Sequence, residues 1–473
     1  MTVRLIGFGL AVVAAGLTAC GEADVIPDKP DSAVVAARAD YQGEYTRADG
    51  TPIFIADTED GLVVIVSGNT FRLVPTGLDR FDLDGVPESV RFDRDAGGEV
   101  ESVTDSQGKY PRRTANLPDA ILAAINPAAR APYTYAPPVS ADDGLPVGHA
   151  GDAGLDVAGL ESLIERIQGD PEFANVHSLL VQKDGSLVLE RYFAGFDAGM
   201  PHNLRSATKG IIAALAGAAV EQGEIALSDT PLKALADARG VSVSAHKAEL
   251  SLGEMLDMRH GLQCNDWNED SPGHESRIYA TPDWVSTTLA LPEAPEGETA
   301  SYCSAMPLMV GRYLELATGQ ALPDYADAVL LSPLGITRGA WTWDFTLAPL
   351  DAPHGAQIHM RPRDMLRVAS LYADDGVAPD GTRLLPEGWA ADTFGATMPL
   401  GDWRRYGRYW WSYDVEREGH PPVAIHFASG VGGQRIALVP ELDLAVVMTG
   451  GSFAQGRGGP RRVLEAIVEA VER

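Results

Sequence analysis

Apolar residues follow two rhythms along this chain. From Gly43 to about Tyr110 they come in short runs or alternate with polar residues: Ile53-Phe54-Ile55, Leu62 to Val66, Thr70 to Val74, Val90-Arg91-Phe92 and Val100 to Val103. Turn-forming pairs separate these runs at Asp49-Gly50, Asp60-Gly61, Asp84-Gly85 and Gly97-Gly98. Period-two segments broken by such pairs predict a small antiparallel, β-rich domain over residues 41–113. Pro132, Pro137-Pro138 and Pro146 then mark 114–150 as a Pro/Ala-rich linker or wrapping segment. Beyond it the rhythm becomes mixed. A helix is predicted near Asp156 to Gln168, then a hairpin from Val176 to Phe193 turning at Asp184-Gly185. A long, mostly helical middle follows. Strand patterns return at Val423 to Phe427, Gln434 to Val439 and Leu444 to Met448, before a closing helix from Pro460. Strands at both ends of a helical stretch predict an α+β domain over 151–473. Its antiparallel sheet is assembled from distant segments, flanked by helices, with a helical subdomain beside it and a cleft between the two.

The N-terminus changes the picture of where this happens. Arg4, an apolar run from Leu5 to Leu17 and the ending Leu17-Thr18-Ala19-Cys20 describe an export signal over residues 1–20. The ending resembles the bacterial lipobox, which implies lipid on Cys20, a tether over 21–40 and a membrane partner through that lipid only. Gly21 lacks acidic retention character, so the expected location is the periplasmic side of the outer membrane. A formal charge of -29 and a pI near 4.6 argue against a nucleic-acid partner. Cys264 and Cys303 remain once Cys20 is lipidated, and an oxidising compartment permits one disulfide between them. Their spacing leaves that pairing open, and oligomeric state is equally open.

The chemistry concentrates at Asn203-Leu204-Arg205-Ser206-Ala207-Thr208-Lys209, which opens an apolar, small-residue helix. Positions three apart share a helix face, so Ser206 and Lys209 can meet without tertiary help. A serine hydroxyl needs a neighbouring base to become a nucleophile, and lysine is one such base. Gly210, Ala213, Ala214, Gly217 and Ala218 would let other elements approach closely. Alone, Ser-x-x-Lys is a weak signal; a helix start with a solvent-facing lysine gives the same string.

The surrounding blocks make it specific. His177-Ser178-Leu179-Leu180-Val181, Asp184-Gly185, Leu189-Glu190-Arg191-Tyr192-Phe193 and His202 to Lys209, extended by Gly261-Leu262, resemble the serine beta-lactamase-related family. The likeness is to its class C-like esterases and 6-aminohexanoate-dimer hydrolases and covers roughly residues 140 to 470. It implies a beta-lactamase/transpeptidase-like fold, no cofactor, and a small ester or amide as substrate. The 41–113 segment likewise resembles the small β-rich modules attached to some penicillin-recognising hydrolases. The resemblance makes Tyr302, in Tyr302-Cys303-Ser304, the proton shuttle beside Ser206 and Lys209. Ser304 stands where many class C enzymes carry an amide residue.

A late block, His426 to Gln434, matches the strand edge that faces the nucleophile in the family. The backbone near Gly430 and Val431, with that of Ser206, is the expected oxyanion donor. Lys-Thr-Gly is absent there, which weakens carboxylate recognition of a beta-lactam. Trp267, Ser304 and Ser429 are candidate substrate contacts. Tyr406, Tyr409, Trp410 and Trp411 either line an acyl pocket or fill the core. Asp266, Glu269 and Asp270 lack the histidine-rich spacing of a zinc site, so no metal is expected. No Gly-x-Ser-x-Gly surrounds Ser206, which argues against an α/β-hydrolase. The expected activity is ester hydrolysis through an acyl-enzyme. Amidase, D-aminopeptidase or beta-lactamase activity, or a silent envelope binding protein, are the alternatives.

Overall fold

The computed structural model describes residues 38–472 apart from 47–51, 59–60, 67–68, 85–87, 107, 118–120, 122–131, 170–172, 174–175, 194, 344–356, 396–397, 401–403 and 452–457. The export signal, Cys20, most of the tether and much of the early linker lie outside the described residues.

The β-rich segment is a closed barrel of eight antiparallel strands. These are β1 (Gly43–Thr46), β2 (Pro52–Thr58), β3 (Gly61–Val66), β4 (Asn69–Gly77), β5 (Arg80–Leu83), β6 (Ser89–Arg94), β7 (Val100–Thr104) and β8 (Lys109–Thr114). β1 closes the ring by pairing with both β2 and β8. Side chains fill a barrel of this size, and here the filling is aromatic. Phe92 lies 4.7 Å from the Tyr41 ring and 5.6 Å from Phe81, centroid to centroid. Alternation sorts the two sides of the wall: Ile53, Ile55, Leu62 and Val64 point inward, while Phe54, Ala56 and Ile65 form an outer cluster with Leu117 and Ile121. Phe54 also touches Gly195 of the second domain, where a Cβ would stand 3.0 Å from its ring.

The second domain holds a seven-stranded antiparallel sheet ordered β10-β9-β18-β17-β16-β15-β14. Its strands are β9 (Val176–Lys183), β10 (Ser186–Tyr192), β14 (Arg405–Gly407), β15 (Trp410–Arg417), β16 (His420–Gly430), β17 (Gln434–Val439) and β18 (Leu444–Gly450). The early hairpin joins the late strands through β9 and β18, with Leu180 opposite Val447. A sheet built from distant segments was the sequence expectation, and the fold agrees with it. A second sheet of three short strands, β11 (His202–Asn203), β12 (Thr342–Trp343) and β13 (Ile358–Met360), leads directly into the Ser206 segment.

The longer helices are α1 (Val157–Gly169), α2 (Thr208–Glu221), α3 (Ala305–Thr318), α4 (Pro362–Ala373) and α5 (Gly458–Glu469), with α3 packed against α2. α2 and α4 cover one face. Gly210 of α2 lies against Ala428, and Ser370 of α4 donates to Gln182 Oε1 at 2.8 Å. α5 lies on the opposite face, where Arg461 sits over the Tyr413 ring, and α1 packs beside it. α2 is buried from Thr208 to Ala219. Its small residues make that possible, since a Cβ on Gly217 would come within 2.8 Å of Trp389.

The proline-rich segment is seated on this domain from Tyr133 onward. Tyr135 donates to the Val188 carbonyl at 2.7 Å, and Arg363 of α4 bonds both Glu190 and Asp143. Phe92→Ala removes the ring at the centre of the barrel. It is expected to cost about 3–5 kcal/mol, read as a lower urea midpoint for the barrel's unfolding; an unchanged midpoint contradicts the filled-barrel description.

Candidate active site

The Ser206 segment is a tight turn at the start of a buried helix. Arg205 has φ of +50°, a left-handed conformation uncommon outside glycine, asparagine and aspartate. Its N–H is held by Asn203 Oδ1 at 2.8 Å, and the Leu204 N–H by the Ile358 carbonyl at 2.9 Å. One 3-10 turn, Arg205–Ala207, then runs into α2. Ser206 itself is half-buried and so remains reachable.

Lys209 lies one turn along, with 4% of its surface exposed. Its Nζ donates to Ser206 Oγ at 3.0 Å and to Ser304 Oγ at 3.1 Å. It also stands 4.8 Å from the centroid of the Tyr302 ring, on which a cation is electrostatically favoured. The two sequence motifs thus occupy the N-terminal ends of two packed helices, α2 and α3. Tyr302 is 8% exposed.

The opposite wall is the end of β16. Gly430 is there because nothing larger fits: a Cβ would lie 2.0 Å from the Leu204 carbonyl oxygen. The strand is therefore pressed against the backbone that leads into Ser206. Gly432 and Gly433 serve a different purpose, since both have positive φ in the turn between β16 and β17. Val431 is 45% exposed and Ser429 half-buried, both beside Gly430. His426 faces away, into the helical layer, where its Nδ1 pairs with Ser412 Oγ at 2.7 Å.

Aromatic rings line the mouth. Trp267, 43% exposed, stacks parallel to Tyr302 at 5.5 Å, and Trp411 stacks on Tyr302 at the same distance. Tyr406 meets Trp411 edge-on at 4.5 Å, and the Arg404 guanidinium lies 4.4 Å from the centroid of the Trp411 ring. The aromatic run divides: Tyr406 and Trp411 turn toward Tyr302, while Trp410 packs in the core against Tyr372 and Phe394.

Cys264 and Cys303 form a disulfide with a Cα separation of 5.4 Å. It brings in Asp266, which the sequence placed in a polar loop near the cleft and set aside as a metal ligand. Asp266 Oδ2 accepts the Ser304 N–H at 2.6 Å and Oδ1 accepts the Glu275 N–H at 2.9 Å. Burial, reinforced by the Glu275 carboxylate, pushes the Asp266 carboxyl up to about 6 against the opposing pull of Lys209 and the Ser304 hydrogen bonds. Nothing in the sequence pattern signals this role, which depends on two segments meeting across the disulfide.

Comparison with known proteins matches residues 164–468 to the family described as Beta-lactamase. The chain belongs to the beta-lactamase family. It is therefore a serine hydrolase of the acyl-enzyme type. It is 25% identical over 298 residues to the 6-aminohexanoate-dimer hydrolase of Paenarthrobacter ureafaciens, covering 57% of this chain and 71% of that one. It is 28% identical over 199 residues to penicillin-binding protein 4 of Amycolatopsis lactamdurans, covering 34% and 50% respectively, half of that protein's length. A penicillin-binding protein homologue from Caulobacter crescentus shares the fold, with a TM-score of 0.51 at 15% identity over 68% of this chain and 99% of that one.

Gly430→Ala is expected to cost about 1–3 kcal/mol in urea unfolding by forcing β16 away from Leu204. An unchanged midpoint would show that the strand end and the Ser206 turn are not pressed together.

Proposed function

We propose that the protein is an esterase in which Ser206 is the nucleophile and Lys209 and Tyr302 move its proton. The observation that carries this reading is the 3.0 Å contact from the buried Lys209 ammonium to Ser206 Oγ. Ser206 Oγ attacks the ester carbonyl as its proton passes to the Lys209–Tyr302 pair, which enters the step holding one proton fewer than an ammonium and a phenol together. The tetrahedral oxyanion is met by backbone N–H groups of Ser206 and the Gly430–Val431 strand end. Collapse expels the alcohol, which takes the proton back, and leaves the acyl group on Ser206. Water, deprotonated by the same pair, then releases the acid. Trp267, 43% exposed, offers flat apolar surface to the substrate and is backed by the buried Trp411, with Ser304 and Ser429 as polar contacts.

A linear amide is the second reading, favoured by the similarity to a protein named 6-aminohexanoate-dimer hydrolase. Its leaving amine requires full protonation, a greater demand on the Tyr302–Lys209 relay than an alcohol makes. The site lies, on this proposal, on the periplasmic face of the outer membrane, tethered by lipid on Cys20.

Ser206→Ala is expected to lower kcat for p-nitrophenyl butyrate at least about 1,000-fold with the fold intact, and Lys209→Ala about 100- to 10,000-fold. Equal rates in wild type and Ser206→Ala contradict the assignment. Labelled palmitate should enter the full chain expressed in a bacterium and be absent from Cys20→Ala; equal labelling of both excludes Cys20 as the anchor.

A further inference from the structure

Two stretches far apart in the chain, 264–266 and 301–304, are bound to each other by a disulfide and three hydrogen bonds beside the reacting group. The disulfide joins Cys264 to Cys303, the residue between Tyr302 and Ser304. The Asp266 N–H donates to the Tyr302 carbonyl at 2.8 Å, and the Asp266 carboxylate accepts the Ser304 N–H at 2.6 Å. Ser301 Oγ donates to the Cys264 carbonyl at 2.6 Å. From the other side, His260 accepts the Leu262 N–H at Nδ1, which leaves its Nε2–H to donate to the Ser301 carbonyl at 3.0 Å. Burial holds the His260 ring down near 4, so this neutral tautomer persists through the working pH range. The backbone that presents Tyr302 and Ser304 to Lys209 is thus set by the segment carrying Asp266.

Taking Ser206, Lys209 and Tyr302 as the reacting group, we propose that Asp266 is a positioning residue: its backbone and carboxylate seat Tyr302 and Ser304 against Lys209, and the Cys264–Cys303 disulfide fixes Asp266 in that place. Asp266 acts through Ser304, whose N–H it accepts and whose Oγ accepts from Lys209 Nζ. Its charge also faces the buried ammonium, which favours the ionised carboxylate. The other titratable groups felt by Asp266 or feeling it are Glu275 and Tyr279 of the helix Glu275–Tyr279, with Tyr302 and Tyr406 in the same neighbourhood. As pH falls through about 6 the carboxylate takes a proton, the charged acceptor for the Ser304 N–H is lost, and turnover declines.

The test compares kcat and KM for p-nitrophenyl butyrate from pH 5 to 9 in the wild type, Asp266→Asn, the double variant Cys264→Ala/Cys303→Ala, and the triple combination. Circular dichroism confirms folding of each. Asp266→Asn should lower kcat about 10- to 100-fold, the cost of misplacing reacting groups, with KM within about two-fold. The fall in kcat below pH 6 should vanish with it. The double variant should lower kcat in the same direction, and adding Asp266→Asn to it should cost less than the product of the separate losses, because both act through one segment. Wild-type kcat in folded Asp266→Asn, or an acid limb unchanged by it, overturns the proposal. Should the cysteine variant fail to fold, Asp266→Asn alone decides. Loss of turnover in Ser206→Ala tests the nucleophile separately, so failure of one reading is distinguishable from failure of the other.

Discussion

Lys209 places a positive charge where 4% of its side chain meets water. An ammonium group in such a position is costly unless surrounding groups satisfy it, and the organisation of the cleft answers that demand. Ser206 and Ser304 accept its hydrogen bonds, the Tyr302 ring lies under it, and Asp266 supplies a nearby opposite charge. On the proposed mechanism, two of these partners, Ser206 and Tyr302, are also the groups that acyl transfer needs beside Lys209. The stability of the buried charge and the chemistry of the site therefore rest on one set of contacts.

Small residues bring those partners within reach. Gly210 and Gly217 let α2 sink against Ala428 and Trp389, so that the helix carrying Lys209 runs through the interior with no exposed side until its last turn. Gly430 lets β16 close on the Leu204 carbonyl, which sets the turn at Arg205 and aims Ser206 into the cleft. The α3 end is held by a covalent link and backbone hydrogen bonds rather than by packing alone. A pocket so constrained is preorganised, and electrostatic stabilisation of a developing oxyanion is strongest where the donors need not reorganise.

Much of this was legible in the sequence because it is local. The Ser206–Lys209 spacing needs only a helix, the hairpin over Val176 to Phe193 announces itself by its turn, and the small residues of α2 declare a buried helix. What escaped is non-local. Closure of the barrel depends on β1 pairing with β8, and in β8 only Tyr110 is fully buried, so Lys109 to Thr114 carries little apolar signal. β5 is only four residues long. Asp266 lies in a run of polar residues that resembles any solvated loop, and its place beside Ser304 appears only when Cys264 meets Cys303. The aromatic run from Tyr406 to Trp411 was ambiguous because alternate residues of a strand face opposite ways; register, rather than composition, sends Trp411 to the cleft and Trp410 to the core.

On the proposed mechanism Ser206 carries the acyl group. Labelling the folded protein with a fluorophosphonate, which traps activated serines as a stable adduct, and mapping the modified peptide by mass spectrometry addresses this most directly. One adduct is expected, on Ser206, and it is absent when the protein is denatured before labelling. An adduct on another residue, or an unlabelled Ser206 in a preparation whose esterase activity the reagent abolishes, would contradict it.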